Sequence, residues 1–147
     1  MTTIDQMFSL ATELRDNGDL RNSVGVLDKI LADYPTDKKT YGVHLVLGGV
    51  HNDLKEHENA LDNFKKATEL NPKSELASLG LYVTFTKLDR EEEAIKELLR
   101  FLGQFPADLY KDTLEELMGD IKDGYLEKFK TDITHLAKVN GVEFRYS

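Results

Sequence analysis

Three histidines fall close together, at His44, His51 and His57, with a fourth, His135, far downstream. Clustered imidazoles are the side chains here best suited to hold a metal ion. On a helix, however, His44 and His51 would lie two turns apart, roughly 10 Å along the axis. Two ligands of one ion must each approach to about 2 Å. The spacing therefore favours packing roles for both, and no metal site is expected. The carboxylate clusters Glu91-Glu92-Glu93 and Glu115-Glu116 suit solvated helix starts, where negative charge favours the helix dipole. There is no cysteine, hence no thiol nucleophile, thiolate ligand or disulfide, which is compatible with a reducing cytoplasm. No phosphate loop of the G-x4-GK[ST] type occurs, Gly48-Gly49 lacks the surroundings of a dinucleotide fingerprint, and there is no G-x-S-x-G elbow. The expectation is a chain with no catalytic residues and no cofactor.

Charge narrows the partners further. The 147 residues carry a formal net charge of −8. The least acidic stretch, residues 38–74, reaches only +1. Nucleic-acid affinity rests largely on phosphate neutralisation, so DNA and RNA are not expected ligands. An acidic surface steers basic proteins towards it or simply keeps a protein dissolved. The first residues, Met1-Thr2-Thr3-Ile4-Asp5, lack the basic start and apolar run of a secretory signal. The longest nearly uncharged stretch, Tyr41 to Val50, falls well short of the ~20 residues that span a bilayer. A soluble, cytoplasmic protein without membrane contacts is expected.

The elements that would position these side chains follow from a repeat. The chain has three prolines, Pro35, Pro72 and Pro106, at spacings of 37 and 34. Twelve residues before each stands a small residue: Ser23, Ala60 and Ala94. Four residues after each small one stands a large apolar one: Leu27, Phe64 and Leu98. Twenty-five residues before each proline stands a leucine: Leu10, Leu47 and Leu81. The three extra residues of the first copy fall in the polar loop Thr36 to Thr40. Each frame predicts two antiparallel helices, with small slots allowing close approach and large slots filling the space between. Asn17-Gly18-Asp19, Leu54-Lys55-Glu56 and Leu88-Asp89-Arg90 are the expected tight turns. Gly18 is the only glycine in a turn slot, where a left-handed conformation is cheap. Each proline would stop a helix.

This frame resembles the tetratricopeptide repeat. The second copy carries it best: His44-x2-Leu47-Gly48-x2-His51, then Ala60-x3-Phe64, then Pro72. The first reads Met7-x2-Leu10-Ala11-x2-Leu14, Ser23-x3-Leu27, Pro35, and the third Ser78-x2-Leu81-Tyr82-x2-Phe85, Ala94-x3-Leu98, Pro106. The resemblance covers about residues 4–106. It implies an all-α, right-handed solenoid of antiparallel helix pairs, with repeats over about 4–37, 41–74 and 75–108 in a single domain, 1–147.

A repeat stack needs a capped end. Leu109, Leu114, Leu117, Met118 and Ile121 fit one helix face, and Leu126, Phe129, Ile133 and Leu136 a second. Asp123-Gly124 reads as the break between them and Asn140-Gly141 as the final stop. These capping helices, about 108–140, would form a degenerate fourth hairpin. Alternatively, the last helix or the alternating tail Val142 to Ser147 would lie in the groove as an internal ligand.

In tetratricopeptide domains the first helices of successive repeats line a concave surface that takes a peptide or partner helix. Carried over by the frame, that surface should comprise Asp5, Phe8, Thr12 and Arg15, then Leu45, Gly49, Asn52 and Asp53. The third repeat should add Leu76, Leu79, Val83, Thr86 and Lys87. Gly42, Gly49 and Gly80 suggest crowding there, since each costs roughly 0.5–1 kcal/mol relative to alanine in a helix interior. The clamp that holds acidic chaperone tails is not expected, because its slots hold Phe8, Thr12, Val46, Leu76 and Gly80, none basic and none an amide. The expected function is a protein-binding module, such as an adaptor, assembly factor or small chaperone, that holds an apolar peptide or amphipathic helix. The alternative is an acidic inhibitor of immunity or antitoxin type that neutralises a basic toxin. Self-association through exposed apolar surface is possible but not expected.

Overall fold

The structure, a computed structural model, describes residues 3–143. It is all helical, with the helices packed in sequence-adjacent pairs. These are α1 (Ile4–Asp16) with α2 (Leu20–Asp33), α3 (Thr40–Asp53) with α4 (His57–Leu70), α5 (Glu75–Lys87) with α6 (Glu91–Leu102), and α7 (Lys111–Lys122) with α8 (Lys130–Val139). A short 3₁₀ turn, Glu127–Phe129, precedes α8. Among the described residues no helix is long and apolar enough to cross a membrane. The chain divides into two compact units, Met1–Pro72 and Lys73–Ser147, with the border at the second proline of the frame.

The first unit is built on Met7, Ala11, Leu27, Ile30, Val43 and Leu47, which recur at helical spacing on α1, α2 and α3. Thr3 opens α1 with a capping box: its hydroxyl accepts from the Gln6 N–H at 3.2 Å, and the Gln6 side chain accepts from the Thr3 N–H at 2.9 Å. The small slots bring backbones together. Ser23 is fully buried, and its hydroxyl donates to the Ala11 carbonyl across the α1–α2 contact at 2.7 Å. At Gly48 the fit is tighter still. A Cβ there would lie 2.7 Å from the Phe64 ring, so the large slot of α4 occupies the space that glycine vacates on α3.

The three first-helix turns share one geometry. Gly18, Lys55 and Asp89 all take left-handed φ values, +80°, 64° and 58°. In each turn two backbone bonds close the helix end. Asp19 N–H donates to Leu14 O, Glu56 to His51 and Arg90 to Phe85, each at 2.8 Å. One residue earlier, Gly18 donates to Arg15, Lys55 to Asn52 and Asp89 to Thr86. This is the Schellman closure. It requires a left-handed residue but tolerates a non-glycine there at a cost, so the sequence marks it only at Gly18. The same closure ends α7 at Gly124 (φ 92°) and α8 at Gly141 (φ 70°).

The second unit has the larger core: Ile95, Leu98, Phe101, Leu102, Ala107, Tyr110, Leu114, Leu117, Ile121 and Ile133. Helix α8 packs on α7 and α6. The expected C-terminal helices form, with shifts at their starts. Leu109 precedes α7 and is exposed, and Tyr110 takes the fully buried place beside it. Leu126 is a left-handed turn residue (φ 59°) rather than part of the last helix. The expected extended tail from Val142 lies, over 144–147, outside the described residues.

Candidate partner-binding face

The histidines are engaged with neighbouring polar groups. His44 Nδ1 lies 2.9 Å from Asn63 Oδ1, His57 Nδ1 2.9 Å from Asn52 Oδ1, and His51 Nδ1 2.9 Å from Glu56 Oε1. Arg21, at the start of α2, reaches the same Glu56 carboxylate at 3.0 Å. The His51 contact first, and Arg21 second, hold the Glu56 carboxyl below the usual carboxylate range. Among the described residues no group of three or more metal-ligating side chains is placed to hold an ion.

None of the thirteen positions expected on the partner face is buried. In the first unit, Phe8, Thr12 and Arg15 are half-buried and Asp5 is exposed on α1; Leu45, Gly49 and Asn52 are half-buried and Asp53 is exposed on α3. An ion pair from Asp5 to Lys39 ties the start of α1 to the residue just before α3. The Phe8 ring stands 3.8 Å from where a Cβ on Gly42 would be, whereas a Cβ on Gly49 would meet nothing within 4 Å. Phe8 thus packs over α3 at Gly42, and Gly49 opens onto unoccupied space. Thr12 and Arg15 satisfy local partners, the Ser9 carbonyl and the Asp16 carboxylate.

In the second unit, helix α5 carries apolar residues on both its buried and its outward side. Ala77, Ser78, Leu81, Thr84 and Phe85 are its buried positions. The opposite stripe, at the same helical spacing, is Leu76, Leu79, Val83, Thr86 and Lys87. Leu76 is 56% exposed and Val83 37%. Leu79 differs, being half-buried against the unit's core. It anchors the stripe from below and is a poor site for a charge that must spare the fold.

Three features of this face are absent from the sequence expectation. Leu109, 45% exposed, lies beside the first turn of α5, because its N–H donates to Glu75 Oε1 at 2.9 Å. Tyr82, next to Val83, rests edge-on against Tyr110 with ring centroids 6.0 Å apart. Burial, then the negative charges of Glu91, Glu116 and Asp120, push the Tyr82 phenol up to about 12. Glu116 and Asp120 stand one turn apart on α7, and an (i, i+4) spacing of exposed acids outside the apolar phase was the available signal.

Behind α5 lies a buried polar chain. Ser78 Oγ donates to Glu97 Oε2 at 2.6 Å and lies 2.7 Å from the Tyr110 hydroxyl; Arg100 clamps Glu97 with two bonds at 2.8 and 2.7 Å. With the serine O–H donating to Glu97, the tyrosine O–H donates to the serine oxygen, and every group is satisfied. Glu97 falls on the apolar phase of α6, three residues after Ala94 and four before Phe101, which is the sequence sign of a buried acid. The serine and tyrosine are fully buried, so the chain fixes α5, α6 and the start of α7 rather than meeting a substrate. The chain matches no protein-family model and no curated protein.

Proposed function

We infer that this protein is a tetratricopeptide-like binding module whose work is to hold an apolar segment of another protein. The observation that carries this reading is the outward stripe of α5. A helix with apolar residues on opposite sides needs a second surface to cover it, and α5 leaves Leu76 and Val83 open to solvent. Exposed apolar side chains aligned on one helix face are candidate contact points, and the i, i+3, i+7 spacing of Leu76, Leu79 and Val83 suits an amphipathic helix laid alongside. The resemblance is supported by the recurrence of one left-handed turn at Gly18, Lys55 and Asp89, at the same spacings as the prolines. The contact of Gly48 with the Phe64 ring supports it too, as a small slot meeting a large one.

The test is a charge on the stripe at the position least coupled to the core. Leu76→Glu should leave the circular dichroism spectrum and urea midpoint unchanged and should abolish capture of an amphipathic peptide. Retained capture by a folded Leu76→Glu chain would sink the reading. An inhibitor acting only through its acidic surface would keep its binding in this variant and lose it in high salt.

A further inference from the structure

Helix α8 reaches its seat on α7 and α6 through a short exposed hinge. Lys122, Asp123, Gly124 and Tyr125 all face solvent. Two left-handed residues turn the chain back, Gly124 at φ 92° and Leu126 at φ 59° and ψ 30°. Glycine takes that conformation freely, but a leucine is strained there. Beyond the hinge, residues 127–143 form an amphipathic arm. Its Ile133 and Ala137 are buried, and Ile133 joins the core cluster that holds Leu114, Leu117 and Ile121 of α7. A polar contact fastens each end of the arm. Lys128 pairs with Glu92 of α6 at 2.6 Å, and Asn140 accepts from the Ala107 N–H at 2.8 Å.

We propose that two copies of the chain exchange this arm, each seating the other's α8 against its own α6 and α7. The fit already present selects the occupant. Every contact made beyond the hinge forms identically whether the arm comes from the same chain or from a second copy. Only the hinge differs between the two arrangements. In the closed chain it turns sharply and holds Leu126 in the left-handed region. In the exchanged pair it opens, and Leu126 leaves that region. Opening gives up the bonds from Gly124 N–H to Ile121 O and from Tyr125 N–H to Asp120 O, at 3.0 and 2.9 Å. These hinge residues are exposed, so water replaces both bonds. Short hinges under strain favour such exchange. The arm and its seat lie within the second unit, so the exchange is independent of the α5 stripe and of what that stripe binds.

The test holds the full chain at high concentration in urea near its unfolding midpoint, where arms detach, and then returns it to buffer. Size-exclusion chromatography should show a dimer that refolding at low concentration does not give. The variant Glu92→Cys/Lys128→Cys, at two exposed positions of a chain without cysteine, shows what joins it. A short bis-maleimide should link two chains in the dimer fraction, surviving denaturing electrophoresis, and should link only within one chain in the monomer fraction. Leu126 is also partly buried against the core, so two variants separate strain from packing. Leu126→Ile keeps the apolar bulk and worsens the left-handed strain, so it should raise the dimerisation constant about tenfold. Leu126→Gly removes the strain and should lower that constant severalfold. Leu76→Glu should leave it unchanged. A chain that stays monomeric throughout, a dimer whose links stay within each chain, or two Leu126 variants that move the dimer in the same direction would overturn the exchange. A dimer lost in Leu76→Glu would overturn it too, and would place self-association on the α5 stripe.

Discussion

Gly48 and Gly49 are neighbours in sequence and opposites in environment. A methyl group on Gly48 would sit 2.7 Å from the Phe64 ring, and one on Gly49 would touch nothing within 4 Å. Alanine is the better helix former by about 1 kcal/mol, so Gly49→Ala should raise stability by roughly 0.5–1 kcal/mol. Gly48→Ala meets a wall of aromatic carbon and should cost about 1–3 kcal/mol, as overpacking does. Urea denaturation of both variants decides it, and shifts of the same sign would refute this account of the α3–α4 contact. The turn residues obey similar logic. Lys55 holds a left-handed φ of 64°, where side chains with a Cβ pay about 1–2 kcal/mol. Lys55→Gly should therefore stabilise by about 0.5–1 kcal/mol after glycine's entropic cost is subtracted. An unchanged urea midpoint would show that the turn is not strained. Gly18 announced its conformation in sequence; Lys55 and Asp89 could not, because a Schellman closure is fixed by two backbone bonds whatever side chain stands there.

The helices themselves were legible because the proline frame, the small and large slots and the turns repeat together, and periodicity at three levels leaves few alternatives. What was not legible is how the second unit is stitched. Glu75 opens α5, and its carboxylate accepts from the backbone N–H groups of Asp108, Leu109 and Tyr110 at 2.8, 2.9 and 3.0 Å. On the other side of the same loop, Asn140 accepts from the Ala107 N–H at 2.8 Å. Four consecutive amides that would otherwise precede α7 unpaired are thus satisfied by two side chains more than thirty residues away. In sequence, Glu75 is an ordinary acidic first-turn residue and Asn140 an ordinary helix stop. Hydrogen bonds to a charged group contribute about 1.5–3 kcal/mol, so Glu75→Ala should lower stability by about that amount, and Glu75→Gln, which keeps one acceptor oxygen, should recover part of it. If both variants unfold at the wild-type urea concentration, the carboxylate is dispensable and the loop is held by Tyr110 and its core contacts alone.

Over the whole molecule, the excess of acid over base suggests fragility at low pH alone, yet the shifted groups bound stability on both sides. On the acid side, Glu56 and Glu92 have carboxyls held below their ordinary range by His51 and Arg21 in one case and by Lys128 and Lys96 in the other. Such groups stabilise above the unfolded carboxylate value of about 4.3 and lose that contribution as pH falls through the lower folded value. The Glu92 pairs are solvent-exposed, and Glu56 is half-buried with one exposed partner, Arg21, so this loss should be shallow and, for Glu92 above all, should weaken further in salt. On the alkaline side the Tyr82 phenol is pushed up to about 12, by burial and then by the carboxylates around it. Tyr110, fully buried against Ser78, is displaced in the same direction, chiefly by burial. A raised phenol contributes fully below the unfolded value of about 10, and the contribution disappears as pH climbs towards the folded value. The urea midpoint should therefore be level between about pH 5 and pH 10 and should fall more steeply beyond pH 10 than below pH 5. Tyr82→Phe keeps the ring against Tyr110 and removes one of the two raised phenols, so it should lessen the alkaline fall, leaving the part due to Tyr110, and leave the acid side untouched. Tyrosinate absorbance gives the independent check: with six tyrosines in the chain, Tyr82 and Tyr110 should ionise only as the helical signal is lost. Smooth ionisation of all six in a chain that stays folded above pH 11 would mean that Tyr82 and Tyr110 are not buried against the core of the second unit.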